Sequence, residues 1–173
     1  MLNKRVEEAL NSQLVVEAFS SHYYLAVASW AEVNGLSGTS EFFYEQSDEE
    51  RMHMLRLVKF INERGGKAII PQIDMPTNDF KSIRYVFEEF LKHELTVSAK
   101  VNEVVGICYE EKDFPTMNFM QWYVSEQIEE EAVVRTIIDQ LNLIGDDKSG
   151  LYHFDRDLKN IKNPQITINN TAE

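Results

Sequence analysis

Apolar residues recur along this chain in alternating steps of three and four, the spacing that lines one face of an α-helix. Four long stretches carry the pattern. The first runs from about Asn3 to Asn34, with an inner stripe of Leu10, Leu14, Glu17, Ser21, Tyr24 and Ala28, and stops at Asn34-Gly35. The second is expected to start near Thr39-Ser40-Glu41, with Thr39 or Ser40 as N-cap, and to end at Gly65-Gly66. Its stripe is Phe43, Gln46, Glu50, His53, Leu57 and Phe60. The third spans about Phe80 to Tyr109 behind Asn78 or Asp79 as cap, with Ile83, Phe87, Phe90, Glu94, Val97, Val101, Val104 and Cys108 inside. The fourth follows Pro115, which suits a first helical turn, and stops at Gly145. Met120, Tyr123, Gln127, Glu130, Val134, Ile137 and Leu141 form its stripe.

A shorter amphipathic segment, Ser149 to about Ile161, carries Leu151, Phe154, Leu158 and Ile161 on one side. From Asn163-Pro164 onward the chain is polar and is expected to lack fixed structure. Between Gly66 and Asp79, with Pro71 and Pro76, no helical period survives. Extended at about 3.3 Å per residue, that connection reaches roughly 46 Å. The helix before it is roughly 39 Å long at about 1.5 Å per residue. The connection can therefore return along the whole bundle and set the second and third helices parallel. The expected fold is all-α, a single domain over residues 1–173: a four-helix bundle over about 3–144 with one long crossover, then a short fifth helix.

Composition narrows the function. The 173 residues are 43% hydrophobic and 27% charged, an ordinary balance for a soluble globular chain. A net charge of −12 argues against nucleic acid and anionic membranes and suits cations. Cys108 is the single cysteine, which excludes an intrachain disulfide and any Cys-x-x-Cys metal site. No apolar leader opens the chain and no run has the length of a membrane span, so a cytoplasmic location is expected.

The chemistry lies in the polar residues that interrupt the stripes. Each long helix carries an acid at matching depth: Glu17, then Glu50 with His53, then Glu94, then Glu130 with Gln127. Glu50 and His53, three apart, share one face and can reach one point. A lone Glu-x-x-His is weak evidence. Four interior acids are not, because carboxylates packed together need protons or cations. Oxygen ligands with one imidazole suit iron or manganese.

These residues resemble those of the bacterial non-haem ferritins. The supporting motifs are Glu17, Tyr24, Glu49-Glu50-x-x-His53, Glu94, the run Gln121 to Glu130, and Gly150-Leu151-Tyr152 opening a terminal helix. The resemblance extends through about Asp157. It implies a ferritin-like fold and a di-iron ferroxidase centre. By that resemblance one iron would be held by Glu17, Glu50 and His53. The other would be held by Glu50 as bridge, Glu94 and Glu130, with Gln127 close by. A third iron site from Glu49, Glu126, Glu129 and Glu130 is also implied, as is a role for Tyr24 as hydrogen-bond partner or electron donor. Trp122, off the stripe, is expected to pack, with electron donation as the alternative.

The haem-binding bacterioferritins differ at two points. Their second Glu-x-x-His is Gln127-x-x-Glu130 here, and the Met that follows their bridging Glu is Arg51. Met52 lies about 100° further round the helix, so no haem is expected. The implied activity is oxidation of Fe(II) by dioxygen or peroxide, with storage of ferric mineral in a hollow homo-oligomeric shell of 24 subunits. The alternatives are a di-iron oxygenase and a non-catalytic cage whose acids nucleate mineral. The apolar side of the fifth segment is expected to serve a subunit contact, against the alternative of folding back on its own bundle.

Overall fold

The computed structural model describes residues 2–158 and contains five helices: α1 (Lys4–Val33), α2 (Ser37–Glu63), α3 (Ile83–Glu110), α4 (Phe114–Ile144) and α5 (Lys148–Asp157). Ile161 and the polar tail lie outside the described residues. Side-chain caps start four of the helices. Asn3 accepts from the Arg5 amide, Ser82 from Tyr85, Asp113 from Thr116 and Asp147 from Gly150. The α2 helix stops where Gly65 takes a left-handed φ of 77°.

Contacts at the helix ends give the topology. The Leu2 amide donates to the Arg64 carbonyl, so α1 begins where α2 ends. Arg5 pairs with Glu110 and Glu111, so α1 also begins where α3 ends. The α2 and α3 helices are therefore parallel, and residues 64–82 run back along the bundle as the hydrophobic pattern predicts. The near end of this crossover is pinned to α1. Asn11 accepts from the Ile69 amide and donates to the Lys67 carbonyl, while Glu7 accepts from the Lys67 amide.

Every inner-stripe residue of the four long helices is buried except Phe60, which is half-buried against Phe119. The apolar core falls into two clusters. One gathers Tyr24, Phe42, Phe43, Phe87, Phe90 and Ile137 with their neighbours. The other gathers Leu10, Leu14, Leu57, Val101, Met120 and Cys108 with theirs. Buried Glu17, Glu50, His53, Glu94, Gln127 and Glu130 fall between the two along every helix. Cys108 is a fully buried thiol whose burial raises its pKa to about 11, in keeping with a space-filling role.

Three expectations need correction. The α2 helix starts at Ser37, earlier than Thr39, because its cap comes from another helix. Asp155 of α5 accepts from the Gly38 amide at 3.0 Å and from the Thr39 amide and hydroxyl at 2.8 and 2.7 Å. Thr39 and Ser40 thus lie inside the first turn, where the Ser40 hydroxyl donates to the Ala28 carbonyl. A Cβ at position 38 would collide with the Asp155 carbonyl, so only glycine permits this approach. The α3 helix begins at Ile83 under Ser82, because neither Asn78 nor Asp79 supplies its cap. Finally, α5 folds back: Phe154 and Leu158 are buried in the core of their own bundle, with Phe154 edge-on to Phe87. Leu151 on that side is half-buried.

At the opposite end, Arg64 reaches both oxygens of buried Asp113 at 3.1 and 3.2 Å and the Thr116 hydroxyl at 3.1 Å. Burial pushes the Asp113 carboxyl up, but the Thr116 amide and hydroxyl and the Arg64 guanidinium outweigh it and hold it below its ordinary value. A carboxyl lowered on folding stabilises the protein above its unfolded-state pKa and loses that contribution as pH falls through the folded value. Asp113→Asn is therefore expected to cost about 1–3 kcal/mol near neutral pH. The gap from wild type should close in acid, as checked by thermal denaturation across pH.

Candidate metal centre

The polar layer is built by one side chain per helical turn facing the axis. Glu17 comes from α1, Glu50 and His53 from α2, Glu94 from α3, and Gln127 with Glu130 from α4. Within it, one ligand atom each of Glu17, Glu50 and His53 lies within 4.8 Å of the others. His53 Nδ1 stands 3.7 Å from Glu17 Oε2 and 3.5 Å from Glu50 Oε2. Among the described residues this is the one group of three or more acids, imidazoles or thiols so converged.

The second half of the layer is held by neutral donors. The buried Tyr24 hydroxyl donates to Glu94 Oε1, and Gln127 Nε2 donates to Glu94 Oε2 at 2.9 Å. Gln46 Nε2 spans from Glu130 Oε1 at 3.3 Å to Glu49 Oε2 at 2.8 Å. Tyr24 thus takes the hydrogen-bonding place that the resemblance implies for it. Of the residues implied for a third site, Glu49 and Glu129 are exposed and Glu126 is half-buried. Glu49 and Glu126 border a groove of about 580 Å³ whose wall includes His53 and Trp122, while Glu129 is not part of that lining.

Electrostatics separate the two carboxylates beside His53. Burial raises the Glu17 carboxyl, but His53, Glu50 and Gln13 outweigh it and keep it below its ordinary value. Burial and the negative charge of Glu17 push Glu50 well above the usual carboxylate range. Burial alone would lower His53, yet its two carboxylate neighbours lift it to about 10. His53 thus brings positive charge to the layer, and Glu50 is biased toward its neutral form. Even so, Glu50 Oε2 finds no hydrogen-bond donor among the described residues. A cation would satisfy that oxygen and favour the deprotonated form of both groups. The donor set of carboxylate oxygens with one imidazole fits iron.

Some of this surrounding shell is missed by sequence reasoning. Gln13 donates from Nε2 to Glu17 Oε1 at 2.8 Å; its position one helical turn before Glu17 is the only signal. The Tyr123 hydroxyl donates to the His53 carbonyl at 2.8 Å. Trp122 packs, as expected, but its partner is the polar layer itself. Its ring meets His53 edge-on at 5.0 Å and carries Arg56 on its face at 4.3 Å.

A family profile described as a ferritin-like domain matches residues 7–144. The chain belongs to the ferritin family. Its matched span contains the whole polar layer. Among similar ferritins, a Haemophilus influenzae chain named a probable bacterial non-heme ferritin-like protein is 41% identical, covering 93% of this chain and 98% of that one. A bacterial non-heme ferritin of Campylobacter jejuni is 38% identical over 93% of this chain and 96% of its own length. An open pore ferritin from the hyperthermophilic archaeon Archaeoglobus fulgidus superposes with a TM-score of 0.90 at 38% identity, covering 92% of this chain and 98% of that one. The ferritin-like bundle read from the hydrophobic pattern is the fold observed, and among the described residues no helix is long and apolar enough to cross a membrane.

Because Glu50 is buried at high cost beside Glu17, neutralising it should not harm the metal-free protein. Glu50→Gln, stripped with chelator, is expected to melt no lower than stripped wild type. A clear drop in its calorimetric midpoint would contradict the charge assignment.

Proposed function

We propose that the protein is an iron-storage ferritin that oxidises Fe(II) with dioxygen, or with peroxide, at a di-iron centre inside each subunit. The observation carrying this reading is the convergence of Glu17, Glu50 and His53 around the unsatisfied Glu50 oxygen, in a chain of the ferritin family. The reading assigns one Fe(II) to Glu17, Glu50 and His53. A second goes to Glu50 as bridge, Glu94 and Glu130, with Gln127 beside it. A third, outer site draws on Glu49, Glu126, Glu129 and Glu130. No haem is assigned.

Iron is substrate and cargo here. Two ferrous ions each supply one electron to the oxidant, and the ferric product moves on to mineral. The chain's own residues prepare this. His53 gives up its Nδ1 proton to become a ligand, and Glu50 loses its proton to become a bridge. Carboxylates bind the more highly charged Fe(III) more strongly than Fe(II), which favours oxidation. Tyr24, kept a phenol by burial and by the charge of Glu94, holds Glu94 in place while the ions change charge. Trp122 packs edge-on against the His53 ring and the Tyr123 hydroxyl holds the His53 carbonyl, so the imidazole keeps its orientation as the ions bind.

Substituting Glu50 or His53 by Ala is expected to abolish the rapid oxygen uptake that follows Fe(II) addition. Fast uptake surviving in both variants would remove the ferroxidase assignment. Product analysis with organic substrates separates the oxygenase alternative.

The reading also includes a closed homo-oligomeric shell, with 24 subunits as its expected size, in the cytoplasm. With Phe154 and Leu158 used inside the bundle, the support comes from family membership and from the −12 charge, which on a shell draws ferrous ions toward it. Size-exclusion chromatography with light scattering is expected to give a large assembly. A species near the 20.1 kDa monomer would count against the shell.

A further inference from the structure

Gln13 is a buried polar residue beside the layer to which the proposed chemistry gives no role. It is 1% exposed, and its two amide atoms have different fates. Nε2 donates to Glu17 Oε1 at 2.8 Å. Oε1 is buried and has no hydrogen-bond donor among the described residues. Turning the amide over would set its oxygen against the Glu17 carboxylate and leave both without a donor, so the observed orientation is the favourable one. A buried carbonyl left without a donor costs about 1–3 kcal/mol, which makes its retention informative. Only Glu17, of the three converged ligands, is braced by a neutral amide. That brace occupies Oε1 and leaves Oε2 as the oxygen facing His53 Nδ1 at 3.7 Å. A cavity of about 250 Å³ between α1 and α3, lined by Ser12, Gln13 and Lys100, lies on the outer side.

We propose that Gln13 is a positioning residue of the metal centre: its Nε2 fixes the oxygen that Glu17 presents to the ion, and its Oε1 accepts a hydrogen bond from water that accompanies the ion. The inference rests on the metal-centre reading above. A ligand whose second oxygen is held binds without first having to be ordered, and residues in this role typically change metal affinity about 10–100-fold. The unsatisfied carbonyl is then a cost of the metal-free state, relieved on loading.

The test uses full-length protein stripped with chelator and titrated with Co(II), which reports coordination by its visible absorption without needing turnover. The centre's signal is the part lost in His53→Ala. Gln13→Met keeps the length of the side chain and removes both amide atoms; Gln13→Asn keeps the amide and withdraws it from Glu17. Each is expected to weaken Co(II) binding at the centre by about 10–100-fold by calorimetry and to shift the visible band. The melting point of the stripped protein should move by only a few degrees. A folded variant of either kind with wild-type affinity and an unshifted band overturns the role of Gln13 while leaving the centre intact. Wild type that takes up no Co(II), or Glu17→Ala that takes it up unchanged, overturns the centre and the role of Gln13 with it.

Discussion

The structure depends on how a layer of carboxylates is tolerated in the middle of an apolar core. Glu17, Glu50, Glu94 and Glu130 lie between two hydrophobic clusters, where each unpaired charge costs several kcal/mol. Neutral donors take part of the load, since Tyr24 and Gln127 brace Glu94, Gln46 reaches Glu130 and Gln13 braces Glu17. Protonated His53 sits between Glu17 and Glu50. What is left over collects on Glu50, whose carboxyl is pushed well above the usual range by burial and by Glu17 and whose Oε2 has no hydrogen-bond donor among the described residues. A layer arranged in this way is stabilised by whatever brings positive charge to Glu50.

The rest of the molecule keeps the four helices in register so that the layer forms. The α1–α2 pair is locked beside the layer by Ser21 and Ser47, each hydroxyl donating to the other's carbonyl. At one end Arg64, Asp113 and Thr116 tie the close of α2 to the start of α4. At the other, Asp155 caps α2 from α5 and brings Phe154 against Phe87. The crossover is fastened to α1 by Asn11 and Glu7. Each of these contacts fixes the axial position of a helix, and a shift of one turn, about 5.4 Å, would separate Glu17 from His53.

The two halves of the layer are unlike. On the Glu17, Glu50 and His53 side the ligand atoms converge and charge is mobile, with protons that a cation can displace. On the Glu94 and Glu130 side the carboxylates are tied by amide and phenol donors. That asymmetry agrees with the replacement of a second Glu-x-x-His by Gln127-x-x-Glu130: an amide can brace a neighbouring carboxylate, but it contributes no charge and binds a metal only weakly.

Much of this was legible without coordinates. Helix periodicity depends on local spacing alone, so the four stripes, the interior depth of the acids and the buried Cys108 followed from the chain itself. The crossover followed from loop reach against helix length. The shared face of Glu50 and His53 is likewise a property of one helix. Tertiary structure decided what depends on a second element. The start of α2 was misread because its cap, Asp155, lies 116 residues away. The apolar side of α5 could equally meet its own bundle or another subunit, and only packing placed Phe154 and Leu158 inside. Gln13 resembled any helical glutamine until its amide was seen between Glu17 and an outer cavity. Trp122 stands off the stripe in one helix and against His53 only when α2 and α4 face each other. A single helix determines which residues share a face; the partner it packs on determines what that face can do.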